Sequence, residues 1–214
     1  MSFACTSQGL YVAPALLAIP RIEHAFGTRC ARPSGSLRTL KQVHSTLVYE
    51  ATACHDGVEG DALMTDQPGL WIAVKTADCV PILIAARDGR AIAAVHAGWR
   101  GAAAGIATHA VAAMTQRYGM RASDLCAAIG PSIGPCCYQV GPEVAAKFPP
   151  KFVSELVLDL WSAIRSALID AGVPEAQIDL AALCTCCRGE EFHSWRRDGP
   201  RAGRMYSAIR IVPR

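Results

Sequence analysis

Apolar residues along this chain fall in short blocks, and the blocks predict strands interleaved with helices. Residues 71–75 are apolar and β-branched enough for a buried strand. Residues 80–86 and 91–95 are apolar runs separated by Arg87-Asp88-Gly89-Arg90. An Asp-Gly pair between two apolar runs signals a two-residue hairpin in which both central residues take positive φ. With Asp88 and Gly89 as the turn, Pro81 faces His96 and Cys79 faces Gly98. Side chains alternate along a strand, so Cys79 and His96 then share one face as diagonal neighbours, about 7–8 Å apart at the backbone.

Around this hairpin the pattern predicts a loop over 29–36, rich in small and turn-forming residues, and a short strand over 42–49. An Ala-rich helix is expected over 102–118, ended by Gly119, then a strand over 125–129. The Gly/Pro-rich segment 130–141 reads as a rigid loop, 143–147 as the start of a short helix, and 158–171 as an amphipathic helix closed by Gly172 and Pro174. A last strand is expected over 205–212. Strands interleaved with helices indicate an α/β or α+β domain, and the hairpin makes the sheet not purely parallel. At 214 residues, one domain spanning 1–214 is the expectation.

Composition narrows the function classes. The net charge of +3 is spread along the chain, with no basic arm for nucleic acid, although single phosphate-sized anions remain natural ligands. No apolar stretch is long enough to cross a bilayer and the N-terminus lacks a signal-peptide pattern, so a cytoplasmic location is expected. Ten cysteines in such a chain read as reduced thiols, most of them small buried hydrophobes. Cys136–Cys137 and Cys186–Cys187 are vicinal and ill-suited to ordinary bridges; Cys186 and Cys187 have no evident role.

Candidate chemistry centres on the hairpin. His96 lies in Val95-His96-Ala97-Gly98-Trp99-Arg100-Gly101, at a strand-to-helix junction where backbone can approach a ligand and Arg100 adds a cation. The same segment also reads as a tight turn with a packed Trp99. Cys79 beside His96 permits two chemistries: a Cys/His nucleophilic dyad, or two ligands of a zinc site that needs a third. His44, in Lys41-Gln42-Val43-His44-Ser45, is a candidate third ligand. Phe192-His193-Ser194-Trp195-Arg196-Arg197-Asp198 sets aromatics beside guanidinium groups, suited to stacking a base and holding a phosphate, or to a surface Arg–Asp turn.

Taken in order, several motifs resemble the laccase-domain family, also called YfiH-type, multicopper polyphenol oxidase or purine nucleoside phosphorylase proteins. They are Lys41-Gln42-Val43-His44, Gly60-Asp61-Ala62-Leu63, Thr76-Ala77-Asp78-Cys79-Val80-Pro81 and Val95-His96-Ala97-Gly98-Trp99-Arg100-Gly101. Gly130-Pro131-Ser132-Ile133-Gly134, Cys137-Tyr138, Leu158-Asp159-Leu160, Cys184-Thr185, Ser194-Trp195-Arg196-Arg197 and Gly203-Arg204-Met205 follow. The resemblance implies an α+β domain with mixed or antiparallel sheets packed as a sandwich and helices outside. It implies a zinc site of His44, Cys79 and His96, with copper as the other candidate metal. It further implies phosphorolysis of adenosine, inosine and 5′-methylthioadenosine, with deamination of adenosine. Cys79, His96, Asp78, Asp61 and Arg100 are then the catalytic candidates. Arg29, Gly130, Ser132, Cys137, Tyr138 and Arg196 are the candidates for binding nucleoside and phosphate. Only residues 30–40 separate the His24–Arg29 region from the Gln-Val-His motif, where family members carry a longer segment. Two other readings stand beside this one: a cysteine hydrolase or amidase of peptidoglycan fragments using Cys79 and His96, and a copper-dependent polyphenol oxidase. The last is disfavoured, because a laccase's several copper centres need more histidines than the six present. Nothing in the sequence marks an oligomer interface.

Overall fold

The strand β8 (Val80–Ala86) is buried at every position, which its unbroken apolar sequence requires if both of its faces are covered. The computed structural model, which describes residues 2–55 and 57–213, shows what covers them. β8 lies inside a six-stranded mixed sheet, in the order β13 (Ile178–Leu180), β10 (Leu125–Ile129), β8, β9 (Ile92–Ala97), β6 (Ala62–Thr65) and β5 (Val48–Glu50). A second six-stranded mixed sheet packs over one face of it. Its order is β1 (Ala4–Cys5), β2 (Tyr11–Val12), β3 (Ile22–Phe26), β14 (Met205–Ile211), β7 (Trp71–Thr76) and β4 (Leu37–Arg38). Both sheets are mostly antiparallel, with parallel pairs β10–β13, β5–β6 and β4–β7.

Alternation along the strands divides the core in two. Leu83, Ala85, Ile92 and Ala94 face Phe26, Ile72, Val74 and Ile209 between the sheets. Ile82, Ile84, Ala93 and Val95 point the other way, onto α3 (Ile106–Tyr118) and α5 (Leu160–Asp170) through Ile106, Ala110, Met114, Ile164 and Leu168. The layers are therefore sheet, sheet, helices. Leu83 and Ile82 are fully buried, and truncating either to Ala costs roughly 2–5 kcal/mol. The remaining elements are short: α1 (Pro14–Leu17), α2 (Trp99–Ala103), α4 (Pro142–Ala145), α6 (Trp195–Asp198) and a ribbon of β11 (Val153–Ser154) with β12 (Val157–Leu158). No helix among the described residues is long and apolar enough to cross a membrane.

The β8–β9 register is the expected one, with Pro81 opposite His96 and Val80 opposite Ala97. The turn differs. Ala86 pairs with Ala91 around a four-residue loop, the Gly89 N–H donates to Ala86, and of Asp88 and Gly89 only Gly89 has positive φ. Asp88 instead accepts from the Arg90 N–H at 3.1 Å through its side chain, the local bond that suits Asp to turns. The loop is centred where the shorter turn would have been, so the register is unchanged.

Two further expectations fail. The helix over 102–118 is two helices, α2 and α3, because Gly105 takes φ 85 between them. The strand over 42–49 is confined to Val48–Glu50, and His44 lies in a loop with φ 62. The reason is the Asp61 carboxylate, around which the Val43, His44 and Ser45 N–H groups turn.

Candidate functional site

Cys79 and His96 project from the face of the β8–β9 hairpin that packs against the other sheet, but at the end where that sheet no longer covers it. There they line a cavity of about 710 Å³. His44 reaches the same point from its loop, and its Nε2 lies 3.7 Å from Cys79 Sγ. The His44 and His96 rings meet edge to face with centroids 4.9 Å apart. One donor atom from each of the three residues falls within 4.8 Å of the others.

Asp61, at the start of β6 and only 1% exposed, organises both histidines. Its Oδ1 accepts from His96 Nδ1 at 2.7 Å and from the His44 backbone N–H at 3.0 Å. Its Oδ2 accepts from the Ser45 N–H at 2.6 Å, the Ser45 hydroxyl at 2.7 Å and the Val43 N–H at 3.3 Å. Successive N–H groups converging on one carboxylate cannot belong to an extended strand. They hold His44 in the left-handed region, a strain the surroundings over-determine. The bond to His96 Nδ1 fixes that ring's orientation and leaves Nε2 for the cavity.

The electrostatics follow from this arrangement. Burial pushes the Asp61 pKa up, but hydrogen bonds from His96 and Ser45 outweigh it and bring it down to about 2. Burial likewise opposes a Cys79 thiolate, yet hydrogen bonds to His44 and His96 draw its pKa down to about 6. Burial alone would lower His96, whereas Asp61 and Cys79 raise it to about 9. The site favours negative sulfur beside imidazole.

Gly98 closes the triad from below. A Cβ there would meet His44 Cδ2 at 2.5 Å, His44 Nε2 at 3.0 Å and Cys79 Sγ at 3.1 Å. Its φ is −74, so the requirement is space rather than backbone freedom. Two nitrogens and a sulfur in a water-accessible cleft, with a carboxylate behind one histidine, form the donor set of a metal site with an open position. Tetrahedral zinc with ordinary Zn–N and Zn–S lengths sets N and S about 3.6 Å apart, close to the separation of His44 and Cys79. The three residues therefore fit such an ion.

A family model described as multi-copper polyphenol oxidoreductase laccase matches residues 19–212. The chain belongs to this family. It is 39% identical over 163 residues to a purine nucleoside phosphorylase of Bacteroides thetaiotaomicron, a match covering 71% of this chain and 60% of that protein. Purine nucleoside phosphorylase YlmD of Geobacillus stearothermophilus is 34% identical over 97% of this chain and 84% of its own length. Adenosine deaminase RL5, from an unknown prokaryotic organism, is 38% identical over 76% of this chain and 65% of itself. The crystal structure of the Geobacillus protein superposes with TM-score 0.87 at 29% identity, covering 99% of both chains. The chain thus spans only three-fifths of one curated relative and most of another.

Within this laccase family member, the structure sorts the other candidate residues. Tyr138, Arg100 and Arg196 line the cavity with the triad. Arg196 is held by the carbonyls of Cys137 and Gln139, at 3.0 and 2.9 Å, above the Tyr138 ring. Asp78 also lines it, with φ 86, but its carboxylate orients no histidine among the described residues. It accepts from Thr185 Oγ1 (2.6 Å), Ser194 Oγ (3.1 Å) and the Arg196 N–H (2.6 Å), joining the 185 loop to α6. Arg29, Gly130, Ser132 and Cys137 are not among the lining residues. Arg29 donates to the Gly189 carbonyl. Gly130 lies against the Phe26 ring, and Ser132 is buried, accepting from Trp161 Nε1 at 2.7 Å.

Trp195, in the segment read as suited to stacking a base, lines the cavity, whereas Lys41, Gln42, Lys75, Thr76, Trp99 and Arg204 line it without having been singled out as binding candidates. Gln42 stands in for a strand partner, its amide bonding the Lys75 carbonyl and N–H at 2.7 and 2.8 Å. That pins the His44 loop to the edge of β7. The signal was available in Gln42 preceding the metal-capable histidine, but no local rule gives an amide that role. The cysteines also differ from expectation, since only Cys126 and Cys184 are buried.

Proposed function

We propose that the chain is a zinc-dependent purine nucleoside enzyme that cleaves adenosine, inosine and 5′-methylthioadenosine with phosphate and also deaminates adenosine, acting in the cytoplasm. The observation that carries the reading is the His44–Cys79–His96 triad in one cavity with Arg100, Arg196 and Arg204 and the aromatic rings of Trp99, Tyr138 and Trp195. The names of the relatives supply the substrate class. A volume of about 710 Å³ accommodates a nucleoside and an anion together.

His44, Cys79 and His96 would hold the ion. When bound there, zinc supplies a Lewis acid with one open position. Copper is the alternative occupant, since imidazole and thiolate serve both metals. The protein's own groups divide the remaining work. Arg196, fixed by two carbonyls, presents a positioned cation for phosphate, and Arg100, stacked on Trp99, and Arg204, held by the Ala202 and Gly203 carbonyls, add two more. Trp195, half exposed, offers a stacking face for a purine. Thr76 Oγ1 is buried in the lining without a partner among the described residues and is suited to a ligand hydroxyl or ring nitrogen. In phosphorolysis a phosphate oxygen bonds to the ribose anomeric carbon as the bond to the purine nitrogen breaks, and the purine leaves with the electron pair and takes a proton. In deamination a water oxygen bonds to the purine carbon that carries the amino group, and ammonia leaves. The polyphenol-oxidase reading is disfavoured, because only His44 and His96 join a metal-capable group among the described residues.

A cysteine hydrolase is the second reading, favoured by one observation: Cys79 lies next to His44 with its pKa drawn down to about 6. Product analysis separates the two. Purified zinc-loaded protein is incubated with adenosine, with and without phosphate, beside Cys79→Ala. Phosphate-dependent adenine that vanishes in the variant supports phosphorolysis, and inosine without phosphate supports deamination. If neither product forms, the nucleoside reading fails. Loss of an amidase activity on iodoacetamide treatment of metal-free protein would then favour the hydrolase.

A further inference from the structure

Five of the ten cysteines lie in two short segments outside the His44–Cys79–His96 group: Cys136-Cys137 in the Gly/Pro loop after β10, and Cys184, Cys186 and Cys187 in the loop after β13. About fifty residues separate the segments, yet four of the sulfurs converge. One sulfur from each of Cys136, Cys137, Cys184 and Cys187 lies within 4.8 Å of all the others. Cys187 Sγ is 3.5 Å from Cys136 Sγ and 3.3 Å from Cys137 Sγ. Four thiolates around a tetrahedral zinc ion at the ordinary Zn–S length are about 3.8 Å apart, which falls between the two short contacts of Cys187 and the 4.8 Å within which all four sulfurs lie.

Further features point to a cation rather than to packing. The Cys184 sulfur accepts from the Gly134 backbone N–H at 3.3 Å, and the Cys187 N–H also donates to it. Backbone N–H groups aimed at a sulfur support a thiolate ligand in the way outer hydrogen bonds support other metal ligands. Cys136 and Cys187 are exposed, so a metal has an entry path, and hydrophobic burial gives no reason to gather them. The two segments are also stitched by backbone pairing, Ser132 with Cys184, which brings the sulfurs together before any ion binds.

We propose that Cys136, Cys137, Cys184 and Cys187 form a second, structural site for a thiophilic divalent cation of the zinc class, independent of the nucleoside reading. Binding replaces the thiol protons with one metal ion and involves no change of oxidation state. The site clamps the two loops that support the cavity wall. The Cys137 carbonyl holds Arg196, and the carbonyls of Thr185 and Cys186 hold Arg197 at 2.9 and 3.1 Å.

The test is metal stoichiometry on the full chain, purified under reducing conditions and titrated with zinc, with cobalt as the spectroscopic probe. The native chain should bind two equivalents, Cys187→Ser one, and Cys79→Ser one. Cobalt-loaded Cys79→Ser should show the intense charge-transfer band of several thiolates, and Cys187→Ser only the weaker band of the single Cys79 thiolate. In the native zinc-loaded chain these four thiols should resist alkylation and become reactive after chelation, a readout that survives any folding defect of the variants. One equivalent in the native chain and none in Cys79→Ser would overturn the proposal. So would a disulfide between Cys137 and Cys187 in the reduced preparation, or four thiols equally reactive with and without zinc.

Discussion

Gly98 lies directly beneath His44: a methyl group on its α-carbon would stand 2.5 Å from the imidazole Cδ2 and 3.1 Å from Cys79 Sγ. The glycine thus keeps the space in which two donors converge. Gly98→Ala should leave the fold intact, because its φ of −74 suits alanine, but should push His44 out of register. Metal affinity at the triad is expected to fall by at least the 10–100-fold typical of supporting residues. Isothermal titration with zinc in a Cys187→Ser background reads the triad alone, and unchanged affinity would refute the steric account.

Asp61 links the two histidines through one carboxylate. In Asp61→Asn, a single amide oxygen cannot accept from Val43, His44, Ser45 and His96 together, so buried donors are left unsatisfied at about 1–3 kcal/mol each. Both stability and metal affinity should fall. Because the folded pKa of about 2 lies below that of an ordinary carboxyl, Asp61 stabilises the fold above about pH 4. That contribution is lost as pH falls towards 2. Denaturant unfolding of metal-free protein should therefore show a steeper acid loss between those values in the native chain than in Asp61→Asn.

Metal-free Cys79 should react as a thiolate at lower pH than an ordinary thiol. With its pKa drawn down to about 6 by His44 and His96, its alkylation rate should reach half of its plateau near pH 6. An unperturbed cysteine does so near about 8.5. Peptide mapping after timed iodoacetamide exposure identifies the site. Zinc should abolish the reaction at every pH, and a midpoint above 8 would remove the histidine effect.

His24, in β3, supplies a pH dependence unrelated to the metal. Its Nε2 accepts from the Ala13 N–H at 2.8 Å, its Nδ1 is buried without a partner among the described residues, and burial lowers its pKa to about 4. The unfolded chain takes up this proton near pH 6.5 and the folded one only near 4. Stability is therefore present above 6.5 and declines as pH falls through that window. The loss is on the order of 3 kcal/mol by pH 4. His24→Gln, which keeps an acceptor for Ala13, should flatten the unfolding free energy across this range.

The sequence alone determined the β8–β9 hairpin, its register and the shared face of Cys79 and His96, because alternation and an Asp-Gly loop are local properties. It also determined the buried strands, the end of α5 at Gly172 and a domain of interleaved strands and helices, through patterns confined to ten or so residues. The ordered family motifs, not local pattern, narrowed the class to α+β. The tertiary structure decided the rest. His44 sits in a left-handed loop rather than a strand because Asp61, seventeen residues on, captures three consecutive N–H groups. The motif residues Gly130 and Ser132 serve core packing, while Gln42, Thr76 and Trp195 line the cavity, since lining depends on where the second sheet stops covering the first. The four-cysteine cluster is assembled the same way, from segments fifty residues apart that meet only when the loop after β10 pairs with the loop after β13. Local chemistry sets which residues can act; only the packing of distant segments sets which of them meet.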